Sequence, residues 1–175
     1  MTDDAEDKRA AVAQEAAQFL RERRSLIMAT VDAEAMPEAS YAPFVRTEDN
    51  AFYVYVSDLA RHTRNLREQS RVSILLIEDE QSSAQLFARK RLTFQCDAHV
   101  VERETPKWTE VLDSFDKKFG QVMDMLRPLT DFHLWRLQPK SGRFVKGFAQ
   151  AFRIEGATLD EFRHINDAGH STKPT

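Results

Sequence analysis

Between residues 26 and 101, apolar and polar positions run in short blocks, each closed by a turn-forming stretch: LIMATV, ASYAPFV, AFYVYV, RVSILLI and QLFARKRLTFQCDAHVV. Period-two alternation in short, evenly spaced runs predicts strands of a small β-barrel. The predicted strands cover 26–31, 39–46, 51–56, 72–78 and 86–101, the last long enough to be bent or bulged. DAEAMP, broken by Pro37, turns the chain after the first strand, and TEDN joins the second and third as a hairpin. Further strands are predicted at 131–137 and 143–154, with PKSG as the turn between them and Gly147 interrupting the second.

A period of 3.6 replaces the period of two at both flanks. Residues 4–23 place Val12, Ala16, Phe19 and Leu20 on one stripe. Acidic Asp3, Asp4, Glu6 and Asp7 lie at the start of that helix and Arg21, Arg23 and Arg24 at its end, as the helix dipole favours. Thr105-Pro106 opens another helix, which Gly120 ends before a further turn to Leu126. Ser57 or Asp58 caps a short helix through Arg67. After Gly156 the chain turns polar, with one helical turn capped by Thr158 and then an irregular tail. The expected class is mainly β with flanking helices: an N-terminal helix at 1–24, a barrel domain at 25–156 and a tail at 157–175.

Composition narrows the function. A chain of 175 residues with 42% hydrophobic content supports one domain with a real core. A net charge of −3 leaves no global basic field for nucleic acid. Cys96 is the sole cysteine, which excludes an intrachain disulfide and a cysteine zinc site and suits a reducing cytoplasm. The acidic start lacks the apolar region of a signal peptide, and no apolar stretch reaches the roughly 20 residues of a membrane span.

Local charge is more telling. Along 86–101, Phe87, Arg89, Arg91, Thr93 and Gln95 share one strand face, which reads as an anion-binding stripe or as an ordinary solvated face. Arg61, His62 and Arg64 lie near a helix start, where backbone N–H groups also favour anions, or form a solvated helix face. Asp131 heads a strand whose same-face neighbours are His133, Trp135 and Leu137; it is a candidate desolvated acid or a simple strand cap. His164 and His170 lie in the polar tail at a spacing that does not match a helical two-histidine zinc site, although one neutral imidazole suffices as an axial ligand of heme iron. His99 and Cys96 read as structural, Cys96 as a buried small hydrophobe.

The segments SYAPFV, SDLARHTRNL, LFARKRLTF and GRFVKGF followed by ATLDE resemble the heme-utilisation proteins of the HutZ/HugZ type. These belong to the FMN-binding split-barrel superfamily, with the pyridoxamine 5′-phosphate oxidases. The resemblance covers about residues 20 to 170. It implies a homodimer of split barrels with one heme b per subunit near the interface, ligated by a histidine of the C-terminal segment. It further implies oxidative opening of the porphyrin with O₂ and a reductant, and so a heme-donating protein and an electron donor as partners. By position the ligand role falls on His170, with His164 as the alternative. Asp131 corresponds to the acid that hydrogen-bonds the ligating imidazole from the partner subunit. Arg91, with Arg89 or Arg61, would pair with the propionates. Flavin-binding relatives carry Ser-Arg-Lys where this chain reads Ala60-Arg61-His62, so the permanent cation of the flavin phosphate site is missing and FMN binding is expected to be weak. Relatives often have Gly where this chain has Ala35, so a positive φ there would strain the turn. Two rivals remain at this level: an FMN-dependent oxidoreductase, and a heme storage or transfer protein without turnover. The scaffold by itself does not choose among them.

Overall fold

The protein is described by a computed structural model over residues 2–156 and 158–165. In chain order its elements are α1 (Thr2–Arg21), β1 (Ser25–Val31), β2 (Pro37–Arg46), β3 (Phe52–Ser57), α2 (Arg61–Glu68), β4 (Arg71–Ile77), β5 (Arg91–Val101), α3 (Pro106–Phe119), α4 (Val122–Leu126), β6 (Phe132–Gly147), β7 (Gln150–Glu155) and β8 (Glu161–His164). The strands pair in the order β3-β2-β1-β4-β5-β6-β7-β8, and β3 also pairs with β6, which closes a six-strand barrel. Every pairing is antiparallel.

β6 explains the geometry. One of its edges pairs with β5, while the other serves β3 from Phe132 to Leu137 and β7 from Gly142 to Gly147. It therefore crosses PKSG without turning, a correction to the sequence expectation. The register jumps there, Cys96 facing Pro139 and Gln95 facing Ser141, so Lys140 is absorbed as a bulge. Pro139 is tolerated beside this irregularity, where the ladder is already broken. Close approach needs Gly142: a Cβ there would lie 2.6 Å from the Phe94 ring.

The uniformly apolar run of β3 is buried on both faces. Phe52, Val54 and Val56 fill the barrel interior with Phe44, Ile74, Phe94 and the α1 stripe of Val12, Ala16, Phe19 and Leu20. Tyr53 and Tyr55 point the other way, against Trp108, Val111, Leu112 and Phe115 of α3. α3 begins as expected: Thr105 Oγ1 accepts from the Trp108 N–H at 3.2 Å, Pro106 follows it, and Gly120 ends the helix at φ +70°. The second half of α1 is clamped to the barrel by Glu15, whose two oxygens each take a lysine at 2.7 Å, Lys90 and Lys146.

Three further expectations change. The strand predicted from residue 86 starts only at Arg91; Leu86–Ala88 is a 3₁₀ turn. α2 starts at Arg61 behind Ala60, with no side-chain cap. The region after Gly156 is not a helical turn but supplies β8, paired to β7 from Phe152–His164 to Glu155–Glu161. No helix among the described residues is long and apolar enough to cross a membrane.

Candidate functional site

Burial alternates cleanly along β5, with Leu92, Phe94, Cys96 and Ala98 inside and Arg91, Thr93 and Gln95 outside. Cross-strand register extends this outer face sideways. Tyr41, Ile27, Leu75 and Thr93 form one row across β2, β1, β4 and β5, and Ala39, Ala29, Ser73 and Gln95 form the next. Neither row holds a charge. Thr93 faces Arg143 on β6, so the first row ends in one guanidinium group, and Arg91, facing Val145, supplies a second from the adjacent row.

At that end lies a groove of about 800 Å³, within the range of small-molecule sites. Arg91, Thr93, Arg143 and Val145 line it, Phe87 and Phe148 form its lips, and His164 stands at its rim. Phe87 is 92% exposed and Phe148 71%. His164 packs edge-on against Phe152 at 5.0 Å between ring centroids, and its Nε2 lies 3.2 Å from the Ala149 carbonyl.

The structure separates the two basic clusters read from the sequence. Arg91 belongs to the groove and donates to the Arg89 carbonyl at 2.9 Å. Arg89 leaves the predicted stripe because it precedes β5. Its guanidinium pairs with Glu80 at 3.0 Å and donates to the Glu78 carbonyl, so it ties down the β4–β5 connection. Arg61 pairs with Glu38 at 3.0 Å, and Asn65 donates to Thr30 at 3.0 Å, which seats α2 at the Val31 end of β1. Arg91, by contrast, pairs with Ile77 at the far end of β4 from Arg71. His62 is buried, its Nε2 meets no hydrogen-bond partner, and burial lowers its pKa. Such an enclosed imidazole, with its pKa lowered, carries less positive charge than a lysine would. Cys96 is buried and its thiol is pushed up to about 12, which makes it inert, as expected.

Asp131 stands just before β6, at the α2 end of the barrel. Ser57 Oγ donates to its Oδ2 at 2.6 Å, and its carbonyl accepts from the Asp58 N–H at 2.8 Å. Asp58 in turn pairs with His133 Nε2 at 2.9 Å and with Arg67 at 2.6 Å, so the last residue of β3 and the one after it pin the start of β6. His133, Arg67 and then burial opposing them set Asp58 below the usual carboxylate range. The Asp131 end and the groove lie at opposite ends of β6, separated by roughly 40 Å of strand at about 3.3 Å per residue. His170 lies outside the described residues.

Sequence reading missed Arg143 and Phe148 as groove residues. Their signal was obscured because the segment carrying them was divided at PKSG, which hid that β6 runs beside β5 as far as Val145.

A family model for pyridoxamine 5′-phosphate oxidase matches residues 12–146. The chain belongs to this family. Within it, the chain is 48% identical over 153 residues to a Vibrio cholerae protein named heme oxygenase HutZ, covering 87% of this chain and 86% of that one. A crystal structure of Vibrio cholerae HutZ, described as a heme storage protein, shares 49% identity and superimposes with a TM-score of 0.73, covering 77% of this chain and 94% of that one. Campylobacter jejuni ChuZ shares 33% identity with a TM-score of 0.84, covering 95% of this chain and 67% of that one. The family's split barrel therefore extends here through β7 and β8, beyond the matched segment.

Proposed function

We propose that this chain is a heme-degrading enzyme that binds heme between two protomers, opens the porphyrin and releases its iron. The near full-length match to a heme oxygenase, 48% identical over 87% of this chain, carries the reading. The groove supports it: two arginines for carboxylates, exposed aromatic lips for a macrocycle, and a histidine at the rim. Heme is the substrate, and the macrocycle, O₂ and a reductant supply the oxidising chemistry. The chain binds, orients and excludes water. A heme donor and an electron donor are the implied partners.

His170 is the proposed axial ligand and His164 the alternative. Asp131 is the proposed acceptor from the ligating imidazole, a bond that fixes its tautomer and raises its basicity. Ser57 holds one oxygen of that carboxylate at 2.6 Å, and the other meets no hydrogen-bond partner among the described residues. Since Asp131 and the groove stand at opposite ends of β6, the aspartate that serves one groove must come from a second copy. The uncharged outer rows of β2, β1, β4 and β5 offer that copy a face, and the groove borders it. A homodimer thus completes the site.

Two relatives' descriptions, oxygenase and storage protein, set the test. Hemin is titrated in air, a reductant is added, and the Soret band and chelatable ferrous iron are followed. Loss of the band with iron release is expected; a stable heme spectrum would instead favour storage. Isolation with near-stoichiometric FMN would favour a flavin enzyme, against which the buried His62 argues. His170→Ala should abolish the native ferric spectrum and turnover, whereas His164→Ala should keep both. Asp131→Asn should retain heme but alter its spectrum and rate, since an amide oxygen accepts without charge. Affinity should fall as pH drops through the imidazole pKa, because only the neutral ring ligates.

A further inference from the structure

Arg143 is exposed on the outer face of β6 and forms no ion pair or hydrogen bond among the described residues. Its neighbours are differently placed. Arg89 has Glu80, Arg136 has Asp49, Arg153 has Glu155, and Arg163 has both Glu155 and Glu161. The register makes the lack of a partner costly. Arg143 faces Arg153 directly across the β6–β7 ladder, and Arg153 faces Arg163 across β7–β8. Like charges directly opposite destabilise a sheet. The carboxylates on this surface reach Arg153 and Arg163 only at 3.6–3.7 Å and do not reach Arg143. A sheet that keeps such a row exposed is set up to receive an anion from outside.

The register also fixes what kind of anion fits. Arg91 pairs with Val145 and Arg143 with Thr93, so the two arginines are diagonal neighbours on one face. Their Cα atoms are roughly 7–8 Å apart, near enough for their long side chains to take two carboxylates of one ligand. Both project into the groove whose lips are Phe87 and Phe148.

We propose that Arg143 is the second carboxylate anchor of the groove and acts with Arg91 to select a planar dicarboxylic porphyrin over an uncharged one. The proposal rests on the heme reading above and adds to it the residue that recognises the ligand's acidic edge. It concerns binding and not the iron, so metal-free porphyrin can test it.

Protoporphyrin IX and its dimethyl ester are titrated into the full-length protein by fluorescence, in the unsubstituted chain and in Arg143→Gln, Arg143→Lys and Arg91→Gln. The unsubstituted protein should prefer the diacid by tenfold or more, the scale of a lost charge-assisted pair. Arg143→Gln should weaken diacid binding about tenfold and leave the ester unchanged, and Arg143→Lys should recover part of the loss. Diacid binding by Arg143→Gln equal to the unsubstituted protein's, or equal losses for diacid and ester, would overturn the anchor role while the heme reading stands. A protein that binds neither porphyrin would overturn the heme reading, and the anchor with it. Misfolding is not expected to confuse the outcome, because the Arg143 side chain is exposed and holds nothing in place; thermal unfolding of each variant checks this.

Discussion

Ala35 sits at φ 62° in the turn after β1, the left-handed region that an L-residue enters at a cost. Asp32 holds the turn, its Oδ1 accepting from the Glu34 and Met36 N–H groups at 3.1 and 2.8 Å. Ala35→Gly should therefore stabilise the protein by about 0.5–1 kcal/mol, read as a higher urea midpoint at constant slope. Asp49 works in the opposite sense. Burial alone would raise its pKa, but hydrogen bonds from Thr47, Arg136 and the Ala51 N–H, with the Arg136 charge, bring it to about 2. A carboxyl whose folded pKa lies below its unfolded value stabilises above the unfolded pKa and loses that contribution as pH falls through the folded one. Asp49→Asn should thus be less stable than the parent at neutral pH, and the gap should close between about pH 4 and pH 2 in acid unfolding curves. An unchanged gap across that window would remove Asp49 from the pH response.

At the scale of elements, β6 decides where the site can be. Its bulge at Lys140 lets one strand serve three neighbours, and Gly142 lets it press against Phe94. An added methyl would meet ring carbons at 2.6 and 2.7 Å. Gly142→Ala should cost about 1–3 kcal/mol by overpacking, measured by thermal or denaturant unfolding. Since Gly142 precedes Arg143, that variant should also disturb porphyrin binding. The connection before β5 shows why Arg89 and Arg91, two residues apart, have different fates. Alternation would place them on one face, but the chain is extended only from Arg91, and Arg89 is spent on Glu78 and Glu80. β8 likewise turns a polar segment into sheet: Phe162 is buried against the barrel core while Glu161 and Arg163 face out.

At the scale of the whole molecule, the outer face formed by Tyr41, Ile27, Leu75 and Thr93 and the row beside it is left without a helix, whereas α3 covers β2 only at Val45. Tyr41 is 62% exposed and Ile27 37%, set among Ala29, Ala39 and Ser73, small enough for a second sheet to approach. Ile27→Asp at the centre of this wall should leave the barrel folded and convert a dimer to a monomer by light scattering. On the shared-site proposal it should weaken heme binding in step, read by titration with hemin. A monomeric parent at micromolar concentration would sink both the interface and the shared site.

Local chemistry written in the sequence was enough for much of this protein. Alternation marks β1, β2, β4 and β5, an unbroken apolar run marks β3, the apolar stripe marks α1, Thr105-Pro106 and Gly120 bracket α3, and Ala60-Arg61-His62 stands where the flavin relatives keep a lysine. These features depend on neighbours a few residues apart. The site did not. Phe132 to Gly147 is one strand only because β3, β5 and β7 satisfy its backbone on both edges, and no window of sequence contains those partners. Only the resulting register set Arg143 beside Arg91, moved Arg61 and His62 to the opposite end of the barrel, and left Asp131 at the end of β6 away from the groove.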